Sequence, residues 1–318
     1  MYDVTALGEL LIDFTPSGTS EAGMRIFEQN PGGAPANALA VLAKLGKKTA
    51  FIGKVGDDMH GAFLKETLEK AGIDATGLVV DPEVFTTLAF VSLNAQGERQ
   101  FSFARKPGAD TCLRSEEVNL EILKDSRIFH VGSLSLTDEP SRGATIFAVK
   151  QAREAGRIVS YDPNYRPLLW KSRESAMEGM RVVLPYVNVM KLSDEETGLL
   201  TDHDAPEEAA KVLFEGGISL VAVTLGKDGA YVYTREGGAR VPGFLSQVVD
   251  TTGAGDSFWG GFLYQLVKSQ KDPAEVTLEE AKSFARFGNA VASLCVEKRG
   301  GIPAMPTMEQ VEARLTSA

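Results

Sequence analysis

Short apolar runs alternate along this chain with stretches whose apolar residues recur at helical spacing. That rhythm predicts βα units, hence an α/β fold with a mainly parallel sheet. The apolar runs predict strands at 4–14, 49–55, 127–131, 158–161, 187–192, 220–224 and 230–233. The helix-period segments fall at 35–45, 59–71, 141–155, 173–184 and 206–214, with two longer ones at 256–268 and 278–297. One stretch departs from the rhythm. Positions 86–93 and 99–104 alternate as strands around Asn94, Ala95, Gln96 and Gly97, a turn-rich connection. A hairpin inserted into such a series is an edge addition or a lid. We read a lid, with 77–81 as a further strand, because insertions in α/β enzymes often close over sites. No internal repeat or low-complexity linker divides the chain. It reads as a single domain, 1–318, with a β lid formed mainly by 77–104.

The richest chemistry lies at Asp250-Thr251-Thr252-Gly253-Ala254-Gly255-Asp256, just before a predicted buried helix. The first amides of a helix lack internal partners and carry the positive end of its dipole. Gly253, Ala254 and Gly255 let that backbone approach an anion closely, which makes a phosphate pocket. A carboxylate beside such a pocket repels phosphate, so Asp256 needs another task. Accepting the proton of a hydroxyl that attacks phosphorus is the most economical one. The plain alternative is a helix N-cap after a flexible turn.

Other candidates sit at predicted strand ends, where ligands gather in open α/β sheets. Asp13 can accept two sugar hydroxyls, or it caps a turn. Gly32-Gly33 precede Pro35 at a helix start, and Asn37 on the first turns suits a polyol. Arg166, after Asp162-Pro163-Asn164-Tyr165, and Arg105 on the hairpin offer planar forks for a phosphate or a substrate oxygen. Glu196 can hold Mg²⁺ through water, and Thr224 and Gly226 can border a nucleotide. Each of these is also an ordinary helix-start, turn or surface residue type.

Composition narrows the partners. A formal net charge of −10 argues against nucleic acid or an anionic membrane. Cys112 and Cys295 are far apart and lack metal-ligand spacing, which suits a reducing compartment. The N-terminus has no basic region followed by an apolar core, and no segment approaches the roughly 20 apolar residues of a membrane span. A cytoplasmic, small-molecule enzyme is expected. There is no Walker loop, no G-x-G-x-x-G fingerprint and no G-x-S-x-G elbow. His60, His130 and His203 stand apart from one another in the sequence.

The clusters at 32–37 and 250–263 together resemble the two signatures of the ribokinase-like (PfkB) carbohydrate kinases. Gly53-Lys54-Val55-Gly56-Asp57-Asp58, the hairpin, the Lys191 segment, Thr224-Leu225-Gly226 and Gly300-Gly301-Ile302-Pro303 follow in family order. Gly8-Glu9-Leu10-Leu11-Ile12-Asp13, Phe101-Ser102-Phe103-Ala104-Arg105 and the Asp162 segment look most like the fructokinases. The 2-keto-3-deoxygluconate kinases share much of the last feature, and ribokinases are more distant. The resemblance implies a three-layer αβα core with a small β lid, and transfer of the ATP γ-phosphate to a sugar hydroxyl.

Carried over residue by residue, Asp256 is the base, and the amides of Gly253, Ala254 and Gly255 form the anion hole. Asp13, Gly32, Gly33, Asn37, Arg105 and Arg166 line the sugar site. Lys191, Thr224, Gly226, Gly229 and Asn289 border ATP. Glu196 serves Mg²⁺, while Asp250 and Thr252 match positions that hold a monovalent cation, K⁺, in many members. Ser193 departs from the usual asparagine of the magnesium motif, and Ala304 from a serine of ribokinases. A non-catalytic sensor on this fold would have tolerated an altered loop, and Asp256 argues against one. The hairpin's apolar residues Leu88, Phe90, Phe101 and Phe103, read as one face, predict a homodimer joined through the lids.

Overall fold

The computed structural model describes residues 1–93 and 99–317. The predicted turn at 94–97 therefore lies outside the described residues. Among the described residues, thirteen strands form two sheets. They are β1 (Tyr2–Leu7), β2 (Leu11–Thr19), β3 (Arg25–Gly32), β4 (Thr49–Gly56), β5 (Ile73–Asp81), β6 (Leu88–Leu93) and β7 (Arg99–Ala104). After them come β8 (Ser126–Gly132), β9 (Ile158–Asp162), β10 (Val189–Ser193), β11 (Leu220–Thr224), β12 (Ala230–Thr234) and β13 (Gly237–Val241). The helices are α1 (Ala34–Lys44), α2 (Met59–Lys70), α3 (Leu120–Lys124), α4 (Ser141–Glu154) and α5 (Arg173–Arg181). The rest are α6 (Thr197–Thr201), α7 (Pro206–Glu215), α8 (Ala254–Ser269), α9 (Leu278–Cys295) and α10 (Met308–Thr316).

The large sheet has the order β13-β12-β11-β10-β9-β8-β1-β4-β5, and only its β11–β12 and β12–β13 pairs are antiparallel. Its inner parallel strands, such as β4, β8, β9 and β11, are buried on both faces, as parallel strands sandwiched between helices must be. In β11, Leu220 and Ala222 join one core with α1, α8 and α9. Val221 and Val223 point the other way, into a second core with α4, α5 and α7. This is the expected αβα sandwich. No helix among the described residues is long and apolar enough to cross a membrane.

α8 sits deep in this sandwich because its small residues admit close neighbours. A Cβ on Gly260 would stand 2.7 Å from Val41 Cβ, and one on Gly288 of α9 would stand 2.7 Å from the Phe258 carbonyl oxygen. Trp259 is fully buried, and its indole N–H donates to Ser160 Oγ on β9 at 2.9 Å. The helix that carries Asp256 on its first turn is thus locked to the strand that leads to Asn164.

The structure corrects four expectations. The run at 4–14 is two strands, β1 in the large sheet and β2 in the small one. Residues 4–12 are buried without a break, so periodicity gave no sign of the corner at Gly8, where a Cβ would stand 2.6 Å from Pro35 Cγ. Second, 77–81 belongs to β5, which pairs parallel with β4 at the edge of the large sheet, not to the lid. The small sheet is β3-β2-β6-β7, with β2 and β6 parallel. Third, Phe90 pairs with Ser102 and Phe103 with Ala89, so Phe90 and Phe103 stand on opposite faces. The side chain of Phe101 is outside the described set. Phe90 stacks on Phe14 at 5.1 Å and meets Phe27 edge-on at 6.3 Å, while Ile26, Phe27 and Phe90 stay 37–44% exposed. Fourth, the helix expected at 173–184 ends at Arg181 and gives way to a 3-10 turn over Leu184–Tyr186.

Candidate active site

Two cavities meet at the N-terminus of α8. The first, of about 330 Å³, lies between the small sheet and the carboxyl ends of the large sheet's strands. Asp13, Val91 and Phe103 line it from the small sheet, Gly33 and Asn37 from the start of α1, and Asp256 from α8. The second, of about 710 Å³, is lined by Thr224, Gly226, Gly229, Phe244, Phe258 and Asn289. Thr251 borders both. Gly253 faces the first cavity, and Ala254 and Gly255 the second. The glycine-rich loop therefore forms the partition between them.

Gly253 caps α8 at φ 74°, a left-handed conformation that glycine adopts without strain. The Ala254 amide donates to the Thr251 carbonyl at 3.2 Å, closing the turn. Asp256 follows on the first turn and is buried. Each of its carboxylate oxygens accepts one side-chain amide. Asn37 Nδ2 donates to Oδ2 at 2.8 Å, and Asn164 Nδ2 to Oδ1 at 2.9 Å. Burial pushes the Asp256 carboxyl above the ordinary carboxylate range, while Lys191, Asn37, Arg166 and Asn164 pull it back. Asp256 is thus a buried carboxylate gripped at both oxygens rather than a surface cap.

The remaining predicted residues divide into three groups. Asp13, Gly33, Asn37, Arg166, Asp250 and Thr252 all line the first cavity with Asp256. Gly32 abuts it, and a Cβ there would collide with the Asp13 carboxylate. Arg166 stands exposed at the rim, its guanidinium donating to the Tyr165 carbonyl at 3.0 Å. Asp250 Oδ1 accepts from the Thr252 amide at 2.9 Å and from its hydroxyl at 2.8 Å, and Oδ2 accepts from the Gly300 amide at 3.1 Å. Thr224, Gly226, Gly229 and Asn289 line the second cavity, and Asn289 also donates to the Val241 and Pro242 carbonyls.

Three residues line neither cavity. Arg105 is buried and spends its donors on Asp110, Thr137 Oγ1 and the Leu134 carbonyl, at 2.7–2.9 Å. Thr87, just before β6, donates to the same Asp110, so this carboxylate gathers both roots of the β6–β7 hairpin. Lys191 is buried in an ion pair with Asp162 at 2.9 Å, under the loop: a Cβ on Gly255 would stand 2.9 Å from its Nζ. Glu196 is turned inward. Its oxygens accept the Tyr165 amide at 2.6 Å and the Ser193 amide at 2.7 Å.

Sequence reasoning missed Asn164 and Glu9. Asn164 carries no local signal of its own, and its partner Asp256 lies 92 residues away. Glu9 is 2% exposed, lines the first cavity and accepts the Ala34 amide at 2.8 Å, which holds the start of α1. Its other oxygen has no partner, and burial pushes its carboxyl up to about 7. A lone charge inside an uninterrupted apolar run was the available signal.

The family model for the pfkB family carbohydrate kinases matches residues 1–308. The chain belongs to this family. It is an enzyme of the phosphotransferase class, with a sugar hydroxyl as acceptor. The kinase is 43% identical to probable fructokinase-5 of Arabidopsis thaliana over 318 residues, 99% of this chain and 97% of the relative. Its fold superposes on a fructokinase of Xylella fastidiosa with bound ATP at a TM-score of 0.92. Identity there is 35%, covering 100% of this chain and 99% of the other. A double mutant of the fructokinase of Vibrio cholerae O395, in a form bound to fructose, ADP and potassium, gives a TM-score of 0.88 at 33% identity. The match covers 99% of this chain and 98% of that one.

Proposed function

We propose that this kinase transfers the γ-phosphoryl group of MgATP to fructose, yielding fructose 6-phosphate and ADP. The observation that carries the reading is a buried carboxylate, Asp256, at the partition between a sugar-sized cavity and a larger, partly apolar one. The sugar enters the first cavity, where Asp13 accepts hydroxyls, and ATP lies along the second. The hydroxyl oxygen bonds to the γ-phosphorus as the bond from phosphorus to the β,γ-bridging oxygen breaks, and ADP leaves. The hydroxyl proton passes to Asp256. Phosphoryl transfer asks mainly for positioning and charge stabilisation, and the helix dipole at the loop supplies part of the second. The relatives named fructokinases, and the related structure that holds fructose, support the choice of sugar.

Magnesium enters as part of the nucleotide substrate. Glu196 already binds two backbone amides and lines neither cavity, so its role here is to hold the turn that carries Asn164 and Arg166. A monovalent cation fits the hard oxygen set of Asp250 and Thr252 beside the loop. It would add positive charge next to the phosphate path. The exposed outer face of the small sheet, with Phe27 and Phe90, supports a homodimer through these sheets. The two free cysteines suit a reducing compartment such as the cytoplasm.

Initial rates with fructose, ribose, 2-keto-3-deoxygluconate, glucose and adenosine test the substrate. The expected result is the highest kcat/KM with fructose. A preference for the keto acid would reassign the sugar and give Arg166 a carboxylate to read.

A further inference from the structure

We infer that Asn164 is a positioning residue for the Asp256 base, acting through its side-chain amide. The inference deepens the reading of Asp256 as proton acceptor, and four observations converge on it. Asn164 is 7% exposed and lines the sugar cavity. Its Nδ2 donates to Asp256 Oδ1 at 2.9 Å, opposite the Asn37 amide on Oδ2. Its backbone has φ 48°, a left-handed conformation that asparagine tolerates better than most side chains. Its own amide donates to Asp162 Oδ1 at 3.2 Å, and Asp162 is anchored by Lys191.

The consequence is geometric. A carboxylate with a single hydrogen bond rotates about its terminal bond, whereas one gripped at both oxygens has its plane fixed. The two amides use one lone pair on each oxygen and leave the others for the incoming hydroxyl. They also favour the ionised form in a site where burial opposes it. The charged groups bearing on Asp256 are Lys191 from β10, Asp162 from the end of β9 and Arg166 from the turn after it. Cys295 of α9 faces the same carboxylate and is pushed up to about 11 by burial, so it stays neutral at working pH. None of these is removed by a change at Asn164.

Backbone and amide roles separate cleanly by substitution. Asn164→Gly keeps the left-handed turn and removes the amide, whereas Asn164→Asp keeps the shape and replaces the donor with an acceptor. Both variants should lower kcat by about 10–100-fold, the scale of a misplaced general base. In Asn164→Gly the acid limb of kcat should also move to higher pH, because a group favouring the ionised base is gone. Nucleotide affinity, measured by calorimetry with ADP, should stay within about threefold and serves as the check that the variants fold. The limb is read on whichever sugar of the panel the wild type phosphorylates, so a different preferred sugar leaves this test intact. Wild-type kcat and an unmoved acid limb in Asn164→Gly would overturn the inference and reduce Asn164 to a turn residue. Loss of ADP affinity in both variants would overturn it too, by assigning Asn164 to the fold.

Discussion

The two walls of the sugar cavity are built by different means. The core wall carries polar groups that are buried and interlocked: Asp256 with Asn37 and Asn164, Asp162 with Lys191, Glu196 with two backbone amides. The small-sheet wall carries Asp13, Val91 and Phe103 on a single sheet whose outer face keeps Phe27 and Phe90 exposed. A buried network holds its members in one geometry, because an unmade hydrogen bond there costs the full desolvation of the group. A one-layer sheet has fewer such constraints. On the proposed reading, the difference assigns the chemistry to the core wall and selection of the sugar to both walls.

The sharpest break of that comparison is Asp256→Asn, which is nearly isosteric and loses the proton acceptor. We expect kcat to fall by at least about 10²-fold while the fold and nucleotide binding persist. Because burial raises the Asp256 carboxyl, wild-type activity should also fall on the acid side at a pH above the ordinary carboxylate range. Steady-state kinetics across pH reads both effects. Near-normal turnover would return Asp256 to the rank of a cap.

Next in size is Asp13→Ala on the opposite wall. Loss of charged hydrogen bonds to the sugar should raise its KM by roughly 30-fold, or about 2 kcal/mol. ATP affinity should barely change, since Asp13 lines only the first cavity. An equal loss for both ligands would mean that Asp13 supports the sheet against Gly32 instead of reading the sugar.

The register of β6 and β7 then splits two neighbouring phenylalanines into separate experiments. Phe103 lines the cavity, so Phe103→Asp should raise the sugar KM by roughly tenfold through a lost apolar contact and an added charge. Phe90 stands on the outer face, so Phe90→Asp should dissociate the proposed dimer in sedimentation at micromolar concentration while leaving kcat nearly intact. A wild type that sediments as a monomer would leave the outer face unexplained and the cavity reading untouched.

These outcomes bear on what the sequence could reveal. The loop at 253–256 was legible because its requirement is local: glycine where the backbone turns left-handed and an anion must come close. The inner strands of the large sheet were legible through their apolar runs, but its edge strands β5 and β13 were not. β2 and β3 were also missed, because the run at 4–14 stays buried across the corner between the sheets with only Glu9 to mark it, and β3 carries polar residues on a half-exposed sheet. Arg105 matched a family position, yet its local partner Asp110, five residues on, claims it. Asn164 and Lys191 take their meaning from partners 92 and 29 residues away, which no local pattern encodes.

The smallest expected effect on catalysis concerns Glu9, which joins the walls by holding the start of α1 beneath the cavity. Its carboxyl moves from 4.5 up to about 7, chiefly through burial. Below the unfolded value both states are protonated and no penalty exists. As pH rises from 4.5 to about 7 the unfolded chain releases this proton while the folded one keeps it, so stability is lost across that window and levels off above it. Glu9→Gln keeps an acceptor for the Ala34 amide and cannot ionise. Its NH₂ takes the place of the unpaired oxygen and needs a partner of its own, a cost that is the same at every pH and only lowers the variant's baseline. The expectation is that Glu9→Gln gains on the order of 3 kcal/mol relative to wild type between pH 4.5 and 8, about 5 °C in Tm. Thermal unfolding of both proteins at the two pH values measures it. A Tm difference that stays constant with pH would mean that Glu9 finds a partner for its second oxygen and remains ionised.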